Sequence, residues 1–157
     1  MRVGMGFDIH RVAEGRQLVL GGVVVPWAGK GLQGHSDADV IFHAICDALL
    51  GAIGAGDMGN YFPSTDLRWK NTPSGLFATK VLELVEKRGF RVENVDITVL
   101  AEEPKLAPHQ LNIRRSIAKA LGVEPARVNV KAKTMEQLGP IGQGEAIAAY
   151  AVVSVVT

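Results

Sequence analysis

The sequence predicts an α/β (α+β) fold of one domain, in which a mixed β-sheet carries its helices on one face. The chain has 157 residues, of which 47% are hydrophobic and 21% charged, as in an ordinary globular domain that can bury a core. Segments with apolar residues at every second position are interleaved with longer segments of helical periodicity. No internal repeat or linker divides the chain, so residues 1–157 are expected to form a single domain.

The first strand is predicted over residues 1–10, where polar and apolar residues alternate. Asp8 and His10 should therefore project from one face of the strand, about 7 Å apart along it. Gly4 and Gly6 lie on the same face and leave room for another element to approach closely.

Two short strands over residues 18–20 and 23–25 flank a glycine pair, and the glycine-rich residues 26–34 predict a loop. A helix should follow, because Ser36 is a suitable N-cap residue and acidic residues occupy the next turn. That helix is expected to end at about Ile53, before a glycine-rich stop.

Within this helix Asp39, His43 and Asp47 are spaced four residues apart and share one stripe. A carboxylate that accepts the second ring N–H often accompanies a metal-binding histidine. With Asp8 and His10, the stripe suggests a site of one carboxylate and two imidazoles with a vacant position, which is typical of catalytic zinc. The alternatives are an exposed polar strand face for Asp8 and His10, and a buried structural histidine for His43.

Residues 57–66 have no regular period and predict a long irregular loop, in which turn residues alternate with aromatic ones. Such a loop is either functional or a surface connection. A second helix, capped by Ser74, is predicted over residues 75–88, and a strand over residues 92–100.

Residues 101–108 predict a loop that presents Lys105 between two prolines. A lysine there is either a phosphate-binding point charge or simply solvated. A third helix is predicted over residues 109–121, a strand over 128–131 and a last strand over 146–156. Because the last strand is almost uniformly apolar, it should be buried on both faces, either centrally in the sheet or against another subunit.

Charge and composition argue against several classes of protein. The 17 basic and 16 acidic side chains give a net charge of +1 without any basic run, so no nucleic-acid partner is expected. The single cysteine, Cys46, suits a reducing compartment. No signal segment and no apolar run of membrane-spanning length is visible, so we expect a cytoplasmic protein with no membrane partner. Neither glycine-rich nucleotide fingerprint is present.

A series of short motifs runs through the whole chain. In order, they are Gly6-Phe7-Asp8-Ile9-His10, Gly34-His35-Ser36-Asp37-Ala38-Asp39 with His43, Asp57-Met58-Gly59, Phe62-Pro63-Ser64-Thr65-Asp66, Pro104-Lys105, Asn129-Val130-Lys131-Ala132 with Thr134 and Glu136, and Gly142-Gln143-Gly144-Glu145. In this order and spacing they resemble the motifs of the 2-C-methyl-D-erythritol 2,4-cyclodiphosphate synthase family.

The resemblance implies a homotrimer around a central sheet-lined axis, with active sites between adjacent subunits. It also implies a phosphorus–oxygen lyase of the non-mevalonate isoprenoid pathway. This enzyme would convert 4-diphosphocytidyl-2-C-methyl-D-erythritol 2-phosphate to the 2,4-cyclodiphosphate with release of CMP. Because the 2-phosphate attacks the β-phosphate of the same molecule, the protein would supply positioning and electrostatic stabilisation.

Two metal ions are implied by the same resemblance. Asp8, His10 and His43 would hold one Zn²⁺ per subunit, and Glu136 would bind a second divalent ion, Mg²⁺ or Mn²⁺, with the substrate diphosphate.

The resemblance further implies which residues act on the substrate. His35 and Thr134 would stabilise the transition state. The loop at 57–66 would hold the erythritol part, and residues 101–107 of the adjacent subunit would form part of the cytidine and diphosphate pocket. The complete set of implied substrate-binding residues is Asp8, His10, His35, Ser36, Asp57, Met58, Gly59, Phe62, Pro63, Ser64, Thr65, Asp66, Ala101, Pro104, Lys105, Leu106, Ala107, Lys133, Thr134, Met135 and Glu136.

The sequence departs from the family's pattern at several positions. Ser64 stands where an aspartate is usual, and Lys133 and Met135 replace residues that are commonly threonine. Pro140 replaces a common phenylalanine. Gln143 replaces an arginine that some members associate with a diphosphate-binding cavity on the trimer axis. A neutral amide grips phosphate less strongly than a guanidinium, so weak or no binding of isoprenoid diphosphates is expected there.

Two other functions remain open from the residues alone. A zinc-dependent hydrolase of a nucleotide diphosphate would use Asp8, His10 and His43 to activate a water, and it would need a general base near the open metal position. A small trimeric metal-binding or scaffold protein would instead close the metal site, with His35 as the fourth ligand.

Overall fold

A computed structural model describes all residues from Met1 to Thr157, and its elements follow the predicted order. The strands are β1 (Arg2–Glu14), β2 (Leu18–Leu20), β3 (Val23–Val25), β4 (Lys30–Leu32), β5 (Arg91–Leu100), β6 (Val128–Lys133) and β7 (Ala146–Val156). The helices are α1 (Val40–Ala52), α2 (Met58–Tyr61), α3 (Ser74–Lys87), α4 (Gln110–Leu121) and α5 (Gly139–Gly142). Short 3₁₀ turns lie at Leu67–Trp69, Ala107–His109 and Pro125–Arg127. None of the helices has the length and apolar character needed to cross a lipid bilayer.

The main sheet has five strands in the order β4-β1-β7-β5-β6 and is mixed, as predicted. β5 and β6 are parallel, whereas the other neighbouring pairs are antiparallel. Helix α1 packs on β1 and β7, α4 packs on β6, and α3 packs on both helices. One hydrophobic core fills the space between the helices and the sheet, so the predicted fold class is confirmed.

Strand β7 spans the predicted residues and lies at the centre of the sheet, which confirms the central placement. In the single chain only one face of β7 is buried, because Tyr150 and Val152 on the other face are each 42% exposed. Burial of that face against another subunit stays a prediction. Alternate side chains of a strand point to opposite faces, and the helices cover only one of them.

Strand β1 shows the reverse of the usual burial pattern. Its glycines, Gly4 and Gly6, are buried beneath α1, whereas its apolar side chains lie on the uncovered face. The phenyl ring of Phe7 lies 4.7 Å from the ring of Tyr150 on that face. We call this surface the outer apolar face; it consists of Val3, Met5, Phe7, Ile9, Tyr150 and Val152.

The close approach of α1 to β1 depends on the absence of side chains at the two glycines. A Cβ atom at Gly6 would lie 1.9 Å from the carbonyl oxygen of Ala44, and one at Gly4 would lie 1.9 Å from that of Ala48. The expectation that the glycines admit another element is therefore confirmed. α1 lies directly on the strand, and His43 is brought beside the polar residues of β1.

Two predicted loops contain short elements that the sequence did not indicate. Residues 26–34 include β4, which pairs with the end of β1, with Val12 opposite Leu32. Residues 57–66 include the one-turn helix α2, which Asp57 caps by accepting the amide hydrogen of Asn60. Local sequence periodicity cannot reveal elements of three or four residues that depend on a distant partner.

Both predicted N-caps were wrong. Asp39, not Ser36, caps α1, and Ser74 makes no capping hydrogen bond in α3. The Asp39 carboxylate is fully buried and accepts hydrogen bonds from the amides of Gly21 (2.9 Å), Gly22 (2.7 Å), Ile41 (3.1 Å) and Phe42 (3.2 Å). Asp39 therefore ties the β2–β3 turn to the start of the helix that carries His43.

Replacing Asp39 with alanine should lower the free energy of unfolding by about 1–3 kcal/mol, because buried amide hydrogens lose their acceptor. Urea denaturation followed by circular dichroism measures this change. The matched control is Asp57→Ala, which removes an exposed cap and should cost less than about 1 kcal/mol. Equal losses in the two variants would contradict the structural role of Asp39.

Candidate metal centre and active site

Three potential metal ligands converge where α1 crosses β1. Asp8 and His10 come from β1, and His43 comes from the first turn of α1. One carboxylate oxygen of Asp8, Oδ2, lies 2.9 Å from His10 Nε2 and 3.0 Å from His43 Nδ1, and the two ring nitrogens are 3.2 Å apart. Residues 35 positions apart in sequence are thus brought to one point.

Each histidine ring is held through its other nitrogen. His10 Nδ1 donates to the carbonyl oxygen of Gln33 at 2.7 Å, so its Nε2 faces Asp8. His43 Nε2 lies 2.9 Å from the hydroxyl oxygen of Ser74, so its Nδ1 faces Asp8.

The predicted carboxylate partners of His43 do not hold its second nitrogen. Asp39 is turned towards the β2–β3 turn, and Asp47 accepts the amide hydrogen of Met58 at 2.8 Å. Asp39 and Asp47 share a stripe of the helix with His43, but each carboxylate accepts a hydrogen bond from another part of the chain. Ser74 on α3 contacts the second nitrogen of His43 instead.

The local charges favour an ionised Asp8. Burial opposes ionisation, but hydrogen bonds and charge attraction from His10 and His43 lower the pKa of Asp8 well below its usual range. Burial also disfavours the charged form of His10, yet the hydrogen bond and charge of Asp8 raise the pKa of His10 on balance. A metal cation would therefore compete with a proton shared among these three side chains.

The donor set fits a divalent metal ion. One carboxylate and two imidazoles are common ligands of zinc, and two ligand atoms of a tetrahedral zinc are about 3.3 Å apart. The three separations here, from 2.9 to 3.2 Å, need only a slight outward adjustment to reach that spacing. All three ligand atoms lie within 4.8 Å of one another, and the group contains no fourth residue.

His35 does not complete this group. Its Nε2 donates to the carbonyl oxygen of Asp66 at 3.1 Å, which ties the ring to the loop after α2. The metal site consequently remains open on one side, and this favours catalysis over the closed site of a scaffold protein.

The open side faces a cavity of about 240 Å³. Aromatic side chains form one wall, in which the ring of Phe62 lies 4.7 Å from that of Phe77 and 5.2 Å from that of Trp69. Burial raises the pKa of Asp47, which also lines the cavity. The full lining is Asp8, His10, His35, Ser36, His43, Asp47, Met58, Phe62, Ser64, Trp69 and Phe77.

The loop at 57–66 thus contributes only part of its predicted residues to this cavity. Met58, Phe62 and Ser64 line it, whereas the carboxylate of Asp66 pairs with Arg68 at 2.6 Å. The predicted substrate-binding residues of the loop that do not line the cavity are Asp57, Gly59, Pro63, Thr65 and Asp66.

A second cavity, of about 190 Å³, lies at the ends of β5 and β6 and contains the other half of the predicted site. It is lined by Ala101, Glu102, Pro104, Lys105, Leu106, Ala107, Gln110, Ala132, Lys133 and Thr134. His35 and the metal ligands do not belong to this lining. Within one chain, Thr134 and His35 therefore line different cavities.

The loop that follows β6 carries the remaining predicted residues. Thr134 donates its hydroxyl hydrogen to Glu136 Oε1 at 3.0 Å, and the amide of Met135 donates to Glu102 Oε2 at 3.2 Å. The backbone of Glu136 and Gln137 has φ of 50° and 63°, a left-handed conformation that costs energy in residues other than glycine.

Several residues that shape the site were not predicted from the sequence. Ser74 holds His43, Asp37 holds Ser74, and Trp69 and Phe77 line the first cavity. The indole N–H of Trp69 is buried without a hydrogen-bond partner. Asp37 was noted only as an acidic residue near the helix start and as part of the motif at 34–39, and no sequence signal linked Ser74 to His43.

The model of the YgbB family matches residues 1–156. The chain belongs to the YgbB family. The matched region contains Asp8, His10 and His43 and both cavities.

Two similar relatives match nearly the whole of this chain. A protein of Synechococcus sp. (strain JA-2-3B'a(2-13)), named 2-C-methyl-D-erythritol 2,4-cyclodiphosphate synthase, is 56% identical over 153 residues, 98% of this chain and 97% of the relative. The synthase of Halalkalibacterium halodurans is 53% identical over 156 residues, 99% of each chain.

Solved structures with this fold include two that contain CDP. A 2C-methyl-D-erythritol-2,4-cyclodiphosphate synthase in its CDP-bound form has a TM-score of 0.90 and 37% identity, covering 99% of this chain and 100% of that one. The IspF protein of Plasmodium falciparum, in complex with CDP, has a TM-score of 0.86 and 35% identity, covering 99% and 95%.

Proposed function

We propose that this protein is a 2-C-methyl-D-erythritol 2,4-cyclodiphosphate synthase. It converts 4-diphosphocytidyl-2-C-methyl-D-erythritol 2-phosphate to the cyclic diphosphate and CMP, in the isoprenoid pathway. The observation that carries the proposal is the convergence of Asp8, His10 and His43 at an open cavity. Relatives that match nearly the whole chain are named for this activity.

The metal ligands and their neighbours would bind the reacting phosphates. Asp8, His10 and His43 hold a zinc ion, which when bound supplies positive charge to a substrate phosphate. His35 and Ser36 line the same cavity and orient the phosphate for attack on its neighbour. Because the nucleophile belongs to the substrate, these residues act through position and charge.

The aromatic side of the first cavity would hold the erythritol part of the substrate. Met58 and Phe62 exclude water there, and the hydroxyl of Ser64 is available to a substrate hydroxyl. The other predicted loop residues, Asp57, Gly59, Pro63, Thr65 and Asp66, flank this cavity in sequence but do not line it.

The second cavity would bind the cytidine and diphosphate groups. The loop from Ala101 to Ala107 provides its walls, and Lys105 and Lys133 provide positive charge for phosphate. Thr134 and Glu136, already hydrogen-bonded to each other, would meet the diphosphate and a second divalent ion, Mg²⁺ or Mn²⁺. CDP in the structural relatives supports this ligand class.

A homotrimer would bring the two cavities of neighbouring subunits together. The transition-state residues His35 and Thr134 line different cavities within one chain, so a complete site needs a second copy. The outer apolar face of β1 and β7 provides an uncovered surface on the sheet for such an assembly. Gln143, where an axial arginine is found in some members, donates to the carbonyl oxygen of Gln137 at 2.7 Å.

We expect light scattering to give the mass of a trimer at micromolar protein concentration. An obligate interface of this kind would bury on the order of 2,000 Å² or more of total surface. Introducing charge into the outer apolar face, as in Met5→Glu, should shift the protein towards monomers and abolish activity. A monomeric wild-type protein with full activity would refute the shared site.

Phosphorus NMR of the purified protein with the diphosphocytidyl substrate, Zn²⁺ and Mg²⁺ tests the proposed reaction. The expected products are CMP and a cyclic diphosphate. Open-chain phosphates without the cyclic product would instead identify a metal-dependent hydrolase, for which Asp47 in the cavity wall is the candidate general base.

A further inference from the structure

Ser74 lies at the first position of α3 but does not serve that helix. It makes no capping hydrogen bond, and its side chain is completely buried. Its hydroxyl oxygen lies 2.9 Å from His43 Nε2, across a gap of 31 residues in the sequence. Helix capping therefore does not explain why a buried serine stands at this position. Its contact with His43 is the alternative explanation.

Behind Ser74 lies the carboxylate of Asp37. The Ser74 hydroxyl donates to Asp37 Oδ1 in a short hydrogen bond, and the Ser74 amide donates to Asp37 Oδ2 at 2.9 Å. The amide of Asp39 also donates to Asp37 Oδ1, at 3.1 Å. Since these three groups are donors, the Asp37 carboxylate acts as an acceptor towards each of them.

The available protons determine the direction of the hydrogen bonds that link Asp37, Ser74 and His43. A serine hydroxyl has one hydrogen, and here that hydrogen points to Asp37. The Ser74 hydroxyl oxygen has two further contacts, with Ser36 Oγ at 3.5 Å and with His43 Nε2 at 2.9 Å. In the closer contact, with His43, the ring nitrogen must then donate. In the neutral ring that binds a metal, the other nitrogen, Nδ1, then presents its lone pair towards Asp8 Oδ2 and His10 Nε2, where the metal is proposed to bind.

We propose that Ser74 and Asp37 are positioning residues of the metal centre, which orient the His43 ring and direct its Nδ1 lone pair at the metal. The inference rests on the proposed metal-dependent function. An outer carboxylate that acts through a hydrogen-bonded intermediary also increases the basicity of the ligand imidazole. Ser36 gives weaker support, because its hydroxyl oxygen is 3.3 Å from His43 Nε2.

The principal test is the zinc dissociation constant of Ser74→Ala, measured on metal-free protein by competition with a chromophoric chelator. Zinc affinity should fall about 10–100-fold, the effect typical of removing an outer hydrogen-bond partner of a ligand histidine. Thr79→Ala is the matched control, because it removes a hydroxyl from the same helix that bonds only to the carbonyl oxygen of Gly75. Its zinc affinity should equal that of the wild type.

Asp37→Asn provides the second variant, because it retains the side-chain size but removes the negative charge. Asp37→Asn should lower the zinc affinity, as Ser74→Ala does. A folded Ser74→Ala protein with wild-type zinc affinity would overturn the inference. If that variant does not fold, Asp37→Asn decides in its place. NMR spectra that correlate the ring nitrogens of His43 with its ring protons determine the tautomer in the zinc-loaded wild type. We expect the proton on Nε2 and zinc on Nδ1. Zinc bound through Nε2 would also overturn the proposal.

Activity at saturating zinc separates positioning from substrate contact. Excess zinc should restore most CMP release in Ser74→Ala, because Ser74 acts through His43, whereas persistent inactivity of a zinc-loaded variant would contradict the positioning role. Zinc affinity is measured without substrate, so the two proposals can fail independently. If the wild type binds zinc but releases no CMP, only the proposed synthase activity is refuted. If the wild type is active and the variants keep its zinc affinity, only the positioning role of Ser74 and Asp37 is refuted.

Discussion

Purified His43→Ala should be folded and trimeric, should contain far less than one zinc per chain, and should release almost no CMP from substrate. The substitution removes one of three converging ligand atoms and leaves Asp8 and His10 as a two-point site. The loss of zinc affinity should exceed the roughly 10–100-fold loss that is typical of outer hydrogen-bond partners.

Folding should survive this change because other residues secure α1. The core around the helix includes Val40, Ile41, Ile45 and Leu49, all of which are fully buried, and the helix start is held by Asp39. The alternative, that His43 is a buried structural histidine, predicts the reverse pattern, with lost stability and little specific effect on metal.

Elemental analysis and circular dichroism of the same preparation distinguish the two outcomes. His109→Ala is a suitable control, because it removes a histidine from the 3₁₀ turn before α4 and not from the metal centre. Normal zinc content in a folded His43→Ala protein would eliminate the ligand assignment.

Gly6→Ala should be among the most damaging single-methyl changes in the chain. The added Cβ would lie 1.9 Å from the carbonyl oxygen of Ala44 and 2.8 Å from the amide nitrogen of Ala48. Both atoms belong to the backbone of α1, so no side-chain rotation can relieve the overlap. The helix would have to move away from β1, and the free energy of unfolding should fall by about 3 kcal/mol, the upper end of ordinary overpacking losses.

The same displacement should weaken the metal centre, since His43 moves with α1 while Asp8 stays on β1. Urea denaturation measures the stability, and the chelator competition described above measures the zinc affinity of the folded fraction. Gly51→Ala is the matched control. Gly51 lies on α1, a Cβ there meets no atom within 4 Å, and alanine should stabilise the helix by up to about 1 kcal/mol. Similar effects of the two substitutions would disprove the close-packing explanation.

The sequence by itself determined the order of the main elements and the fold class. The period of two in the long strands and the glycines after the helices are local signals, and β2, β3 and β7 begin and end at the predicted residues. Asp8 and His10 could be placed on one strand face for the same reason. The motifs were specific enough in combination to predict the family, which the family match over residues 1–156 confirmed.

The tertiary structure alone decided which residues support the site. Serine and aspartate are both common at helix starts, but Ser74 contacts His43 and does not cap α3. Asp39 caps α1 and also accepts hydrogen bonds from the amides of a distant turn. Likewise, the apolar residues of β1 face outward, because α1 can approach the strand only on the side of Gly4 and Gly6. Local preferences describe what a residue can do within a few positions of the chain. The hydrogen bonds and contacts that it finally makes depend on the elements that packing brings beside it.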